Sequence, residues 1–340
     1  MSRSGRTPRI LRETFAGSVF RTGRFTGLAM RSGDAKMVPA TSGRGATFPM
    51  SETVGALCAL GSALSWSVTS LMVSALAPRI GTFTINAART TLTAMLVVGW
   101  MVVAGGLEKL LTLSMGGFAL LAVSIVLAIA IGDTIFFESA QRIGLGRAMT
   151  ISMSYPVVAA SLAALLLGER LTAPIVTGGL ITLAGLVLIV MARAEAPGQP
   201  RPWRGVVEAL LAALAWGVSV VALRVPLDEI DPVSAQAIRL PVGALILWVT
   251  PWALRGAPVL LRGGWPLFGR LVVLAAVTAV SSVLYGASVK YAGVAVASVL
   301  SSTAPLFAVP LGVLFLGERL PLLALAGTGV TMIGIVVLRL

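Results

Sequence analysis

Five ionisable residues stand inside long apolar runs of this sequence: Arg89, Asp133, Glu138, Arg239 and, nearer the end of its run, Glu208. Charge at depth in a hydrocarbon layer is costly and marks binding or translocation chemistry by default. Arg89 lies about seven residues into its run and Asp133 a similar depth from the end of the next, roughly 10 Å below one common surface. The two can meet as an ion pair between neighbouring helices, either as a structural pair or in contact with a solute. Arg239 lies equally deep from the opposite surface, but the residue matching Asp133 there is Ser282. An arginine without an acid can grip an anionic group such as a carboxylate through its planar fork of donors. It can equally snorkel to the surface or cap carbonyls opened near Pro241.

The other candidates are less specific. Glu138, five residues after Asp133, sits on a different face close to the surface. It reads as a proton-coupling carboxylate or as an interfacial acid solvated by headgroups. Trp66, Trp216, Tyr155 and Tyr285 can line a cavity, or anchor and pack the helices. Pro156 and Pro305 fall mid-run, where proline removes a backbone hydrogen bond and kinks the helix. Ser152, Ser154, Ser301, Ser302 and Thr303 on the preceding turns can satisfy the freed groups or face a solute. These are hinge-and-cavity elements on one reading, and tight small-residue packing on the other.

The elements that position these residues follow from hydropathy. From Gly55 onward, apolar runs of about 20 residues, the length needed to cross a bilayer, alternate with short Gly, Pro and charged punctuation. The spans are 55–77, 82–104, 117–140, 145–167, 171–192, 206–224, 232–254, 266–290, 294–316 and 320–339. A shift of 149 lays Pro156 on Pro305 and Gly168-Glu169-Arg170-Leu171 on Gly317-Glu318-Arg319-Leu320, with ten identities in the 22 positions from 150 to 171. A shift of 150 lays Trp66 on Trp216 and Arg89 on Arg239. The chain is therefore a duplicated five-helix unit. Because five is odd, the second unit starts on the other side of the membrane, and the halves are inverted repeats. The expected fold is an all-α polytopic membrane protein of ten transmembrane helices. Its parts are a basic tail (1–49), a first repeat (53–192), a linker (193–205) and a second repeat (206–340). In each GERL phrase the glycine can close one helix and the glutamate then sits at the start of the next, where the helix dipole favours an anion.

Composition excludes other classes. Hydrophobic residues make up 57% of the 340 and charged ones 11%, against about 25% charged in a soluble domain. With no histidine and one cysteine, Cys58, there is no His-based triad, imidazole relay, disulfide framework or evident metal site, and no cofactor is expected. No GxxxxGK[ST] loop occurs, which rules out ATP hydrolysis by that route. The net charge of +13 does not indicate nucleic acid. Nine basic and two acidic residues of it lie in 1–49, a segment that reads as an unstructured extension or an early start ahead of Met50. A lipid-touching polybasic arm or a transit-like leader are the other readings. Loop charges place more Arg and Lys on the side opposite the termini, and the tail reverses that count, so the positive-inside rule gives two answers.

The duplication, Trp66 and Trp216, Arg89 and Arg239, the third-helix phrase GDTIFFESAQRIG (132–144), and Pro156 and Pro305 followed by LLLGERL (165–171) and LFLGERL (314–320) together resemble the EamA-type members of the drug/metabolite transporter superfamily. The resemblance covers about residues 53–340. It implies a ten-helix carrier of small metabolites, often amino acids or related compounds, frequently an exporter, with cytoplasmic termini. The expected function is a secondary transporter of small organic solutes in the inner or plasma membrane. Its partners are the solute, the bilayer and a proton or solute counter-gradient; a homodimer is compatible but not required. A rival is a proton-coupled multidrug or cation exporter. That rival wants an unpaired acid in its cavity, and the first helix lacks the buried glutamate of the four-helix multidrug relatives. An intramembrane enzyme is the remote alternative. Gly132-Asp133 resembles part of an aspartyl-protease phrase, but Asp228, Glu229 and Asp231 fall in a loop on the opposite side.

Overall fold

The computed structural model describes residues 50–191, 203–307, 311 and 322–337. The tail 1–49, most of the linker and the second GERL phrase (317–320) lie outside the described residues. The described chain is all-helical, and six of its helices are long and apolar enough to cross a membrane: Ser51–Ile80, Thr82–Val103, Met115–Ile143, Trp203–Asp228, Pro232–Val249 and Gly264–Ser301. Tyr155–Leu167, Ala173–Leu188 and Leu325–Val337 are shorter apolar helices. Large apolar side chains such as Trp100, Val103, Leu165 and Leu245 face outward, as a lipid-facing surface requires. The protein is a multi-pass membrane protein.

In the first repeat α1 (Met50–Ile80) and α2 (Thr82–Val103) are followed by a third membrane crossing in three pieces: α3 (Met115–Ile125), a π-helical segment (Val126–Asp133) and α4 (Thr134–Ile143). Next come α5 (Leu145–Ser152) and α6 (Tyr155–Leu162), and then α7 (Ala173–Met191). The second repeat runs through α8 (Trp203–Arg224) and α9 (Pro232–Val249). Two short helices follow, α10 (Pro251–Arg255) and α11 (Ala257–Arg262), then α12 (Gly264–Ser301) and α13 (Leu322–Val337). The expected linker is shorter than its 193–205 limits, because Trp203–Gly205 already belong to α8.

Two expected elements look different. The eighth and ninth spans form the single stretch α12, bent at Gly293, whose φ of 78° suits a residue without Cβ. Gly144, 149 positions earlier, holds φ 86° between α4 and α5. Neither Pro156 nor Pro305 kinks an unbroken helix. The chain leaves helical geometry at Met153–Ser154 and at Ser302–Thr303, and each proline sits at the start of the helical stretch that follows. There its missing N–H costs nothing.

Close contacts repeat under offsets of 149 and 150, as a twofold relation between the halves requires. Gly55 lies against Ala292 and its mate Gly205 against Ile143, while Gly185 packs on Thr331 and its mate Gly334 on Thr182. Each first helix thus packs on elements of the opposite half.

The glutamate of the first GERL phrase does cap a helix, but not the following one. Glu169 accepts hydrogen bonds from the backbone N–H groups of Val294 (2.8 Å) and Ala295 (3.2 Å), just past the Gly293 bend in the other repeat. Gly168 closes the preceding turn in the left-handed region at φ 69°. Glu169→Ala should lose about 1–2 kcal/mol, the usual worth of such a cap. A thermal-unfolding midpoint lowered less by Glu169→Gln than by Glu169→Ala would match this; equal midpoints for wild type and both variants would contradict it.

Candidate functional site

The π-helical turn organises the site. Widening the helix from Val126 to Asp133 turns the carbonyls of Ala128 and Ile129 toward side chains rather than along the helix. Trp216 Nε1 donates to Ala128 O at 3.1 Å, and Asn86 Nδ2 donates to Ile129 O at 2.9 Å. Gly132 lets Trp216 approach, since a Cβ at that position would lie 2.6 Å from the indole ring.

Arg89 is fully buried, and its Nη2 donates to Asp133 Oδ2 at 2.6 Å and to Asn86 Oδ1 at 2.5 Å. Its guanidinium carbon lies 5.9 Å from the Trp66 ring centre and 5.7 Å from that of Phe137, within cation–π range. The other carboxylate oxygen, Asp133 Oδ1, accepts from Trp216 Nε1 at 3.0 Å. Asp133 is therefore held on both oxygens, and the ion pair open to it in the sequence is formed.

Arg239 is 95% buried, with 5% exposure, and so does not snorkel. The turn of α9 repeats the pattern of α2. Arg239 Nη1 donates to Gln236 Oε1 at 3.2 Å as Arg89 does to Asn86, and Gln236 Nε2 donates to the carbonyl of Ser282 at 2.9 Å. A serine stands where the first half has Asp133, and among the described residues Arg239 makes no ion pair. Its Nε is buried without an acceptor.

These groups line one cavity of about 140 Å³ between the repeats. Trp66, Arg89, Asp133, Tyr155, Trp216, Arg239, Tyr285 and Ser301 of the sequence candidates face it. So do Ser62, Gln236, Ser281 and Ser282. Trp66 meets Trp216 edge-on at 6.0 Å, and Tyr155, whose hydroxyl donates to Ser298 O at 2.9 Å, meets the other side of Trp216 at 6.0 Å. Met153, Tyr155 and Ser301 bring the two helix breaks to the cavity wall. Pro156 is buried beside it and Pro305 is also buried. Ser302 is buried with its hydroxyl donated to Val299 O, off the cavity.

Glu138 does not face the cavity. It is a third exposed, 3.5 Å from Arg142, which in turn reaches Glu208 at 3.0 Å. Asp133 is the one carboxylate lining the cavity among the described residues. Gln236 was open to sequence reasoning only as the residue that the shift of 150 lays on Asn86; Ser62 and Ser281 gave no signal, being ordinary residues of membrane helices.

The EamA-like transporter family model matches residues 53–191 and again 203–340, once for each repeat. The chain belongs to the EamA-like transporter family. An Archaeoglobus fulgidus protein described as an uncharacterized transporter is 27% identical over 227 residues, which is 65% of this chain and 75% of that protein. A solved crystal structure aligns with a TM-score of 0.68 and 20% identity over 83% of this chain and 94% of the other, a likeness of fold. As an EamA-like transporter the protein carries its buried charges and both helix breaks around one central cavity.

Proposed function

We propose that the protein is a secondary carrier that exports small, amino-acid-like organic solutes across the inner or plasma membrane, with cytoplasmic termini. The cavity opens alternately to the two sides as the repeats rock about it, and a solute or proton counter-gradient drives it. The observation carrying this reading is the cavity itself, set between duplicated halves and lined by paired and unpaired buried charge. Discontinuous helices beside a site between inverted repeats are the usual frame of alternating access. The size fits a small solute, since a cavity of ~150 Å³ accepts a molecule like benzene. Arg89, Asp133, Trp66, Trp216, Tyr155, Arg239, Tyr285 and Ser301 line the path, and the breaks before Pro156 and Pro305 act as hinges. Glu138, paired at the surface with Arg142, has no place in this path.

The cation-exporter alternative is disfavoured because the cavity's acid is already engaged by Arg89 and Trp216 while its free charge is positive. An enzyme of the two-aspartate kind needs a second carboxylate facing Asp133, and among the described residues Asp133 is the one carboxylate lining the cavity.

Metabolite profiling of cells with and without overexpression should show small amino-acid-like compounds accumulating in the medium. Proteoliposomes holding purified protein and such a compound should then take up its labelled form transiently against a gradient. No movement of any profiled solute under any imposed gradient would sink the carrier reading.

A further inference from the structure

The buried charges of the cavity sum to +1: Arg89 and Arg239 are positive, Asp133 negative. Guanidinium does not deprotonate in proteins, so both positive charges are permanent, and the surplus is +1 while Asp133 is ionised in its pair with Arg89. Asp133 pairs with Arg89 through Oδ2 and accepts from Trp216 at Oδ1, and it forms no ion pair with Arg239. Arg239 is left with a neutral partner, Gln236, a buried Nε without an acceptor, and Ser282 in place of an acid. Ser301 Oγ, likewise buried without a partner, lines the same cavity. The walls around them are largely aromatic and aliphatic, from Trp66, Trp216, Tyr285, Ile125 and Ile129.

This inference rests on the carrier reading above. We propose that Arg239 is the anchor for a single carboxylate of the transported solute, and that neutralising its charge makes the protein an exchanger. A buried charge is tolerated when water or a counter-charge reaches it, and is costly when neither does. To pass from one open side to the other, the cavity must close off from water on both. With a carboxylate of net charge −1 on Arg239 the closed state holds two matched pairs, and the bidentate geometry of guanidinium with carboxylate suits that pairing. Empty, the closed state leaves the Arg239 guanidinium with the neutral Gln236 alone and no counter-charge. The loaded carrier therefore reorients readily and the empty one slowly. Each outward trip is followed by a return with another carboxylate aboard. The 140 Å³ cavity limits the solute to one small carboxylate-bearing molecule. A second negative charge reverses the imbalance, so dicarboxylates are excluded by the same arithmetic.

The test uses the purified full chain with lactate, 2-hydroxyisocaproate and 3-phenyllactate, singly charged 2-hydroxy analogues of amino acids, each against its own carboxamide. In detergent, acids from this panel should raise the thermal-unfolding midpoint in a concentration-dependent way, while their amides leave it unchanged. Arg239→Gln should remove the difference between acid and amide, and Arg239→Lys should keep it at weaker affinity. In proteoliposomes loaded with a labelled acid, efflux into buffer containing the unlabelled acid should exceed efflux into plain buffer by about tenfold or more, the ratio set by ~1.4 kcal/mol of barrier. Equal stabilisation by acids and amides, no stabilisation by any acid, or an undiminished acid response in Arg239→Gln overturns the anchor. Equal efflux with and without external acid overturns the exchange rule. Should Arg239→Gln not survive purification, the acid-against-amide comparison on the wild type and on Arg239→Lys decides the matter. Carboxylate-dependent stabilisation with no solute movement would remove the carrier reading and leave the anchor. Transport of acids and amides alike would do the reverse.

Discussion

Asp133→Ala is expected to destabilise the folded protein by about 3–5 kcal/mol, the cost of removing one partner from a buried ion pair. Arg89 is completely buried and its only anionic partner among the described residues is Asp133 at 2.6 Å. The substitution leaves a guanidinium among Trp66, Phe137 and Asn86 with nothing to balance it. Trp216 also loses its acceptor on Asp133 but keeps the carbonyl of Ala128. Arg89→Ala strands the carboxylate instead and should cost a similar amount. The double variant Arg89→Met with Asp133→Leu should recover much of the loss, since replacing both charges with apolar groups is often close to neutral. Thermal midpoints in one detergent, arranged as a double-mutant cycle, check this. Additive losses in the double variant would show that the two residues do not act as a pair.

Gly185→Val and Gly334→Val are expected to give the second largest losses. A Cβ at Gly185 meets the backbone nitrogen and hydroxyl of Thr331, and one at Gly334 meets the same atoms of Thr182. Helices in a membrane associate through close backbone approach at small residues rather than through a hydrophobic driving force. Here the obstruction is backbone, so a side chain cannot simply swing aside. The penalty should reach or exceed ~3 kcal/mol, the upper part of the usual range for overpacking. The same substitution at Gly99, which has open space around it, should be far milder and serves as the control. Monodispersity on size-exclusion chromatography and the thermal midpoint are the measurements. A Gly185→Val protein as stable as Gly99→Val would contradict the described crossing of α7 and α13.

Much of this arrangement was legible in the sequence, for definite physical reasons. Charges inside apolar runs are conspicuous because so few are tolerated, and counting residues from the run ends put Arg89 and Asp133 at one depth. The offsets of 149 and 150 exposed the duplication and the absence of an acid to match Arg239. Other features left no comparable trace. The π turn at Val126–Asp133 arises in a run of apolar residues whose composition suits an ordinary α-helix equally well. The carbonyls it frees are met by Asn86 and Trp216, partners distant in sequence. Glu169 was expected at the start of the next helix because local capping is the common case, yet the bend at Gly293 brings N–H groups of the opposite repeat to it. The crossing of Thr182 and Gly185 with Thr331 and Gly334 obeys the same offset, but small residues recur so often in membrane helices that spacing alone did not single it out.

The central claim is that the cavity between the repeats is the solute path and is reached from each side in turn. Cys58 is the only cysteine, so Cys58→Ser provides a background in which Ser282→Cys places one thiol on the cavity wall. A membrane-impermeant thiol reagent is applied to right-side-out and to inside-out vesicles. Modification of Ser282→Cys is expected from either side, with loss of transport once modified and no reagent passing into the vesicle interior. Modification from one side only, or from neither, would contradict it.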